Sequence, residues 1–88
     1  MADIIKRATA GTMESSDAYV EISPAEGLEI SLESVVQKQF GAAIEAVVAE
    51  VLEECKVANA KVTVIDKGAL DCVIRARVET AVMRGRGE

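Results

Sequence analysis

The sequence predicts an α+β fold, in which a mostly antiparallel four-stranded sheet carries two helices on one face, in the order β-β-β-α-β-α. Two observations lead to this prediction. Polar and apolar residues alternate along the first third of the chain, which is the period of a strand, and the spacing then changes to the three-to-four period of a helix. A further strand-like run and a second long apolar pattern follow.

The first two predicted strands flank a short polar turn. Residues 8–12 and 18–22 are typical of extended chain, and the second range alternates polar and apolar positions. The residues between them favour turns, so the segment is predicted to close a hairpin. A buried turn would leave backbone groups without hydrogen-bond partners. We therefore expect Ser15, in the middle, to present its hydroxyl to solvent.

The third strand and the first helix follow a turn at 23–27, which contains proline and glycine. Residues 28–33 alternate strictly, which predicts a strand with one face in water. Ser34 is a candidate helix N-cap, and Gln37 completes a capping-box pattern. An amphipathic helix of about 20 residues is predicted next. Its apolar stripe consists of Val36, Phe40, Ile44, Val47, Val48, Val51 and Cys55.

Residues 61–65 predict a fourth strand, and residues 66–68 turn the chain. The last element is ambiguous, because the apolar residues of 70–82 fit both a strand and a helix period. We predict a helix from the length of the segment and its alanine and arginine content. The alternative is a strand that continues a hairpin over the turn. Residues 83–88 are expected to form a frayed tail.

Length and charge limit the classes of protein to consider. With 88 residues, the chain is expected to form one domain spanning 1–88. Its net charge of −5 argues against nucleic acid or an anionic membrane as a partner, because both require positive charge. The start of the chain has an acid where a signal peptide needs bases, and no long apolar run occurs, so we expect a cytoplasmic protein.

The residue inventory argues against a self-contained enzyme and against a metal site. The chain contains no histidine, which is the most common proton-transfer group near neutral pH and the most common metal ligand. Cys55 and Cys72 are too few and too far apart for a zinc site. The hydroxyl of Ser15 therefore has no convincing catalytic partner in the sequence.

Three separated segments resemble one family, in the right order. Residues 10–15 (AGTMES) followed by Asp17 are similar to the attachment segment of the citrate lyase acyl carrier protein, the gamma subunit of that complex. Residues 36–41 (VQKQFG) resemble the same family, and so do 66–72 (DKGALDC) running into 75–79 (RARVE). One departure from the family pattern is Ser16, where glycine is expected.

The resemblance implies that Ser15 carries a phosphoribosyl-dephospho-CoA arm through a phosphodiester. The thiol of that arm holds acetyl and citryl groups as thioesters during cleavage of citrate to oxaloacetate and acetate. The implied partners are the transferase (alpha) and lyase (beta) subunits of citrate lyase, together with the enzyme that attaches the arm. This chain would then be a non-catalytic carrier subunit.

Charged residues near the matched segments have two interpretations each. Glu14 and Asp17 either take part in recognition by the attaching enzyme or are ordinary solvated turn acids. Lys67, Arg75 and Arg77 either contact phosphates of the arm or neighbouring subunits, or form structural salt bridges. Two alternative functions also remain at this stage, namely a cofactor-free interaction module and the acyl carrier of malonate decarboxylase.

Overall fold

The computed structural model describes residues 3–35 and 37–88, and only the backbone of 37–40. Its elements confirm the predicted α+β order, including the helix chosen for the last element. They are β1 (Ala8–Gly11), β2 (Ala18–Ser23), β3 (Leu28–Ser34), α1 (Gln37–Glu54), β4 (Ala60–Asp66) and α2 (Asp71–Gly85).

The four strands form one sheet in the order β1-β2-β4-β3. β1 and β4 each pair antiparallel with β2, as expected of a mostly antiparallel sheet. β3 pairs parallel with β4, which makes the sheet mixed. The physical reason is the connection between these two strands. Helix α1 is a crossover that carries the chain back to the side of the sheet where β3 begins, so β4 runs in the same direction as β3.

Both helices pack on one face of the sheet, as predicted. Alternate residues of β2 and β4 are buried beneath them, because successive side chains of a strand point to opposite faces. The core is aliphatic, and its fully buried members include Val20, Ile22, Val48, Val51, Leu52, Val62, Val64, Ile74, Val78 and Val82. Val36 and the side chain of Phe40, which the sequence assigns to the stripe of α1, lie outside the described residues.

The sequence predicts a frayed tail at 83–88, and α2 includes the first three of these residues. α2 continues to Gly85, which is buried, and the carbonyl of Gly85 accepts a hydrogen bond from the Ile5 N–H at 2.9 Å. A Cβ at this glycine would lie 3.1 Å from Ile4 and 3.2 Å from Ile22. The end of the helix therefore packs closely against the amino-terminal segment and β2.

Ser34, the predicted N-cap of α1, is the last residue of β3. Its hydroxyl donates a hydrogen bond to the Asp66 Oδ2 atom at 2.7 Å. The capping-box prediction also involves the side chain of Gln37, which lies outside the described residues. Ser34 thus joins the ends of two parallel neighbouring strands.

Several connections between elements lie at one edge of the sheet, where strands begin or end. The carboxyl ends of β1, β3 and β4 meet the amino end of β2 at this edge. The β1–β2 hairpin turn, the loop after β4 and the starts of both helices therefore lie side by side. Ser15 is in the hairpin turn at this edge.

Candidate functional site

The site is built around the turn between β1 and β2. Six residues, 12–17, connect the two strands, and Ser15 lies exposed among them, as predicted from the sequence. Within residues 3–35 and 41–88, whose side chains are described, no group hydrogen-bonds to the Ser15 hydroxyl. The hydroxyl is thus accessible to an approaching molecule.

Hydrogen bonds inside the turn give it a defined shape. The Thr12 hydroxyl donates to Asp17 Oδ2 at 2.7 Å and accepts from the Glu14 N–H at 3.2 Å. The Asp17 N–H donates to the Glu14 carbonyl at 3.1 Å. Ser15 therefore sits at the tip of a loop whose two sides are bonded to each other.

A bidentate ion pair ties this loop to α2. Arg77 donates from Nε to Asp17 Oδ1 at 3.0 Å and from Nη2 to Oδ2 at 3.2 Å. The hydrogen bonds from Arg77, followed by those from Thr12 and the Ala18 N–H, hold the pKa of the Asp17 carboxyl well below its usual range. Only 16% of the Asp17 side chain is exposed, so this residue is a fixed anchor of the hairpin. Its part in recognition by an attaching enzyme stays a prediction.

Gly11 is required where β1 enters the turn. Its φ is +87°, and a Cβ at this position would lie 1.8 Å from the Ala18 carbonyl oxygen and 3.0 Å from Arg77 Cδ. A glycine accepts both the positive φ and the close approach of the opposite strand. The chain can therefore turn directly beneath the Arg77 side chain.

A second attachment holds the other side of the tip. The Ser16 N–H donates to the Lys67 carbonyl at 2.8 Å, and the Lys67 N–H donates to the Asp17 carbonyl at 2.9 Å. These bonds extend the β2–β4 ladder by one step beyond the pair Ala18–Asp66. The backbone beside Ser15 is thereby fixed to the loop that follows β4.

Ser16 occupies the left-handed region of backbone space, with φ at +66°. This conformation costs a residue with a Cβ roughly 1 kcal/mol, whereas glycine adopts it freely. This conformation explains why glycine is expected at this position from the family resemblance.

The remaining charged residues named from the sequence fall in different places. The Glu14 side chain is exposed, and none of the described side chains pairs with its carboxylate. Arg75 lies away from the hairpin and pairs with Glu50 at 2.6 Å and Glu54 at 3.0 Å, which links α2 to α1. The structure therefore places Asp17, Arg77 and the Lys67 backbone around Ser15, and excludes Arg75 from this group.

Sequence reasoning missed the part of Asp66. The residue is 1% exposed, and its carboxylate accepts hydrogen bonds from the Ser34 hydroxyl, the Gly68 N–H at 3.1 Å and the Ala69 N–H at 2.8 Å. An aspartate at the end of a strand and two residues before a glycine is a signal for such a turn, because its carboxylate bonds the amides that follow. The sequence showed a turn here, but not the burial of its acid.

Known proteins are similar to this sequence over nearly its whole length. The family model described as malonate decarboxylase delta subunit (MdcD) matches residues 5–85. The citrate lyase acyl carrier protein of Haemophilus influenzae (strain PittEE) is 54% identical over 85 residues, which cover 97% of this chain and 90% of that protein. The protein of the same name from Escherichia fergusonii is 55% identical over 84 residues, which cover 93% of this chain and 87% of that protein.

This chain belongs to the citrate lyase acyl carrier protein family. The fold of this acyl carrier also has a counterpart among solved structures. A chain of the Pseudomonas malonate decarboxylase hetero-tetramer, solved in complex with malonate, superimposes with a TM-score of 0.77 at 23% identity. The match covers 90% of this chain and 82% of that chain, so the acyl carrier fold is shared at low sequence identity.

Within the described residues, neither α1 nor α2 is long and apolar enough to cross a membrane.

Proposed function

We propose that this chain is the acyl carrier subunit of citrate lyase and that Ser15 is the attachment point of its phosphoribosyl-dephospho-CoA arm. The observation that carries the proposal is the Ser15 hydroxyl, exposed at the tip of a loop that is anchored on both sides. Identities of 54% and 55% to proteins named citrate lyase acyl carrier protein support the assignment to that complex.

The geometry suits a serine that another enzyme modifies. In the attachment step, Ser15 Oγ bonds to the phosphorus of an activated triphosphoribosyl donor, and diphosphate leaves. No described side chain hydrogen-bonds to Ser15, so the visiting enzyme supplies the base that takes the hydroxyl proton. The exposed tip leaves room for that enzyme and for the product.

The bound arm supplies a thiol that holds acetyl and citryl groups as thioesters. This chain contributes the tether, which raises the effective concentration of the acyl group at the active sites it reaches. The partners in this proposal are the transferase (alpha) and lyase (beta) subunits of citrate lyase and the enzyme that attaches the arm. The anchored loop keeps the root of the tether in one place on the carrier.

Two alternatives make different predictions. A carrier of malonate decarboxylase would use the same fold, but the malonate decarboxylase chain of similar structure is only 23% identical. The higher identities to citrate lyase carriers therefore favour citrate lyase. A cofactor-free interaction module would not depend on the Ser15 hydroxyl at all.

Attachment in vitro tests the proposal. Apo-protein is incubated with the attaching enzyme of citrate lyase and its activated triphosphoribosyl donor, and the intact mass is followed. We expect the wild type and Ser16→Ala to gain the mass of the arm, and Ser15→Ala to gain none. Modification of Ser15→Ala at the wild-type rate, or of none of the three proteins, would contradict the proposal.

A further inference from the structure

We propose that the buried carboxylate of Asp66 is a positioning residue for the modification of Ser15, acting through the loop that follows β4. The inference rests on the proposed function, because it concerns the rate at which Ser15 is modified. Its basis is a continuous path of hydrogen bonds from the carboxylate to the backbone beside the serine.

The path begins at a carboxylate that is almost completely buried. Among the described residues, Asp66 is the one polar or charged residue in the buried set, with 1% of its surface exposed. Burying such a group is costly unless hydrogen bonds satisfy its oxygens. Here Oδ2 accepts from Ser34, while Oδ1 accepts from Gly68 and Ala69.

The two bonds to Oδ1 fix the start of the loop. Gly68 has a φ of +93°, and its N–H and that of Ala69 both turn inward to the carboxylate at 3.1 Å and 2.8 Å. The peptide groups of Lys67 are thereby directed outward, toward the hairpin. The shape of the loop thus depends on an acceptor placed beneath it.

The loop then holds the serine-bearing turn. The Lys67 carbonyl accepts from the Ser16 N–H at 2.8 Å, and the Lys67 N–H donates to the Asp17 carbonyl at 2.9 Å. Ser16 follows Ser15 directly in the chain. Removing the acceptor of Asp66 would release the loop and, with it, this side of the tip.

The same residue also connects the third chain segment at this edge. The Val35 N–H donates to the Asp66 carbonyl at 3.2 Å, and Ser34 donates to its side chain. Asp66 therefore connects the hairpin turn, the loop after β4 and the end of β3, and sets their relative positions. A displacement of about 1 Å in a reacting group can cost on the order of a hundredfold in rate, so these relative positions matter for the attack by Ser15.

The test separates positioning from stability. Attachment kinetics of folded apo-protein are measured with the attaching enzyme for the wild type, Asp66→Ala and Asp66→Asn, together with amide hydrogen exchange at Ser16. Asparagine keeps an oxygen for the two loop amides and can place its NH₂ group against the Ser34 hydroxyl. Val51→Ala, a core truncation in α1, is the control for general destabilisation. Asp66→Ser replaces the alanine variant if that variant does not fold.

We expect Asp66→Ala to lower kcat/KM for attachment roughly tenfold, mainly through kcat, and to speed exchange of the Ser16 amide. Asp66→Asn should stay within about threefold of the wild type, and Val51→Ala should match the wild type per folded molecule. Wild-type kinetics in Asp66→Ala, or an equal loss in Val51→Ala, would overturn the inference alone. If wild-type protein is not modified at Ser15, the proposed function is wrong and this inference falls with it.

Discussion

The Arg77 guanidinium donates two hydrogen bonds to the Asp17 carboxylate, of 3.0 Å and 3.2 Å, although the two residues lie 60 positions apart in the sequence. This pair joins the last helix to the hairpin that presents Ser15. Because a planar guanidinium and a carboxylate match in shape, the pair fixes orientation as well as distance. The serine is therefore held by the tertiary structure and not by its turn alone.

Replacement of Arg77 should loosen the hairpin. Arg77→Lys keeps the charge but loses the fork, so we expect faster amide exchange at Ser16 and Asp17 and a severalfold lower kcat/KM for attachment. Arg77→Ala should have a larger effect. The measurements are hydrogen exchange and attachment kinetics on folded apo-protein.

The matched control is Arg75→Ala. Arg75 lies on the same helix but pairs with Glu50 and Glu54 of α1, away from the hairpin. We expect attachment to this variant at the wild-type rate. Equal effects of Arg75→Ala and Arg77→Ala would mean that the hairpin does not depend on the Asp17 pair.

The lowered pKa of Asp17 predicts a pH dependence of stability. The ordinary value is 3.8, and the folded value is lower, so the folded protein keeps this carboxylate charged at pH values where the unfolded chain protonates it. Its contribution to the free energy of unfolding is present above about pH 5 and is lost as the pH falls below 3.8. The difference in stability between the wild type and Asp17→Asn should therefore narrow in acid.

Denaturant unfolding at a series of pH values measures this difference. Glu14→Gln serves as the control, because the exposed Glu14 carboxylate has no partner among the described side chains. That variant should match the wild type throughout. If the difference in stability between the wild type and Asp17→Asn stays constant down to about pH 2, the pH dependence does not come from the Asp17 carboxylate.

Gly11→Ala should destabilise the fold more than alanine at another glycine with positive φ. At Gly11 the new Cβ meets the Ala18 carbonyl at 1.8 Å, whereas at Gly27, with φ at +76°, no atom lies within 4 Å. We expect a loss of roughly 3 kcal/mol or more for Gly11→Ala and about 1 kcal/mol for Gly27→Ala, measured by denaturant unfolding. Equal losses would show that the strands do not approach each other closely at Gly11.

The two cysteines should differ in reactivity. Burial raises the pKa of the Cys55 thiol, while Cys72 is exposed at the start of α2. Because the thiolate is the reactive form, iodoacetamide at pH 8 should label Cys72 at least about tenfold faster than Cys55. Peptide mass mapping over time gives both rates, and Cys72→Ser should leave only the slow reaction. Faster labelling of Cys55 than of Cys72 would contradict the partial burial of Cys55.

Much of the fold was accessible from the sequence because its periodicities are local. The alternation of β2 and of residues 28–33, and the change to a helical period, gave the correct order of elements. The parallel pairing of β3 with β4 could not be read from local pattern, because it depends on where α1 returns the chain. The extension of α2 to Gly85 likewise depends on residues distant in sequence, because Gly85 packs against Ile4 and Ile22.

The candidate site was likewise predictable only in part from the sequence. Turn chemistry predicted that Ser15 would be exposed, and the family resemblance singled it out from the other turn residues. The anchors were not predictable, because Arg77 contacts Asp17, and the Lys67 backbone contacts Ser16 and Asp17, only after α2 and β4 are packed beside the hairpin. Sequence alone left Asp17 either as a recognition residue or as a solvated turn acid, whereas in the fold its carboxylate pairs with Arg77 and joins the hairpin to α2.

The most direct test of the central claim is to locate the modification on native protein. The chain is purified from cells that make the prosthetic group and digested with trypsin, which releases residues 8–38 as one peptide containing both Ser15 and Ser16. Fragmentation mass spectrometry then assigns the added mass to one residue. We predict a phosphodiester-linked phosphoribosyl-dephospho-CoA on Ser15. An unmodified Ser15 in active complex, or the arm on Ser16, would contradict the account.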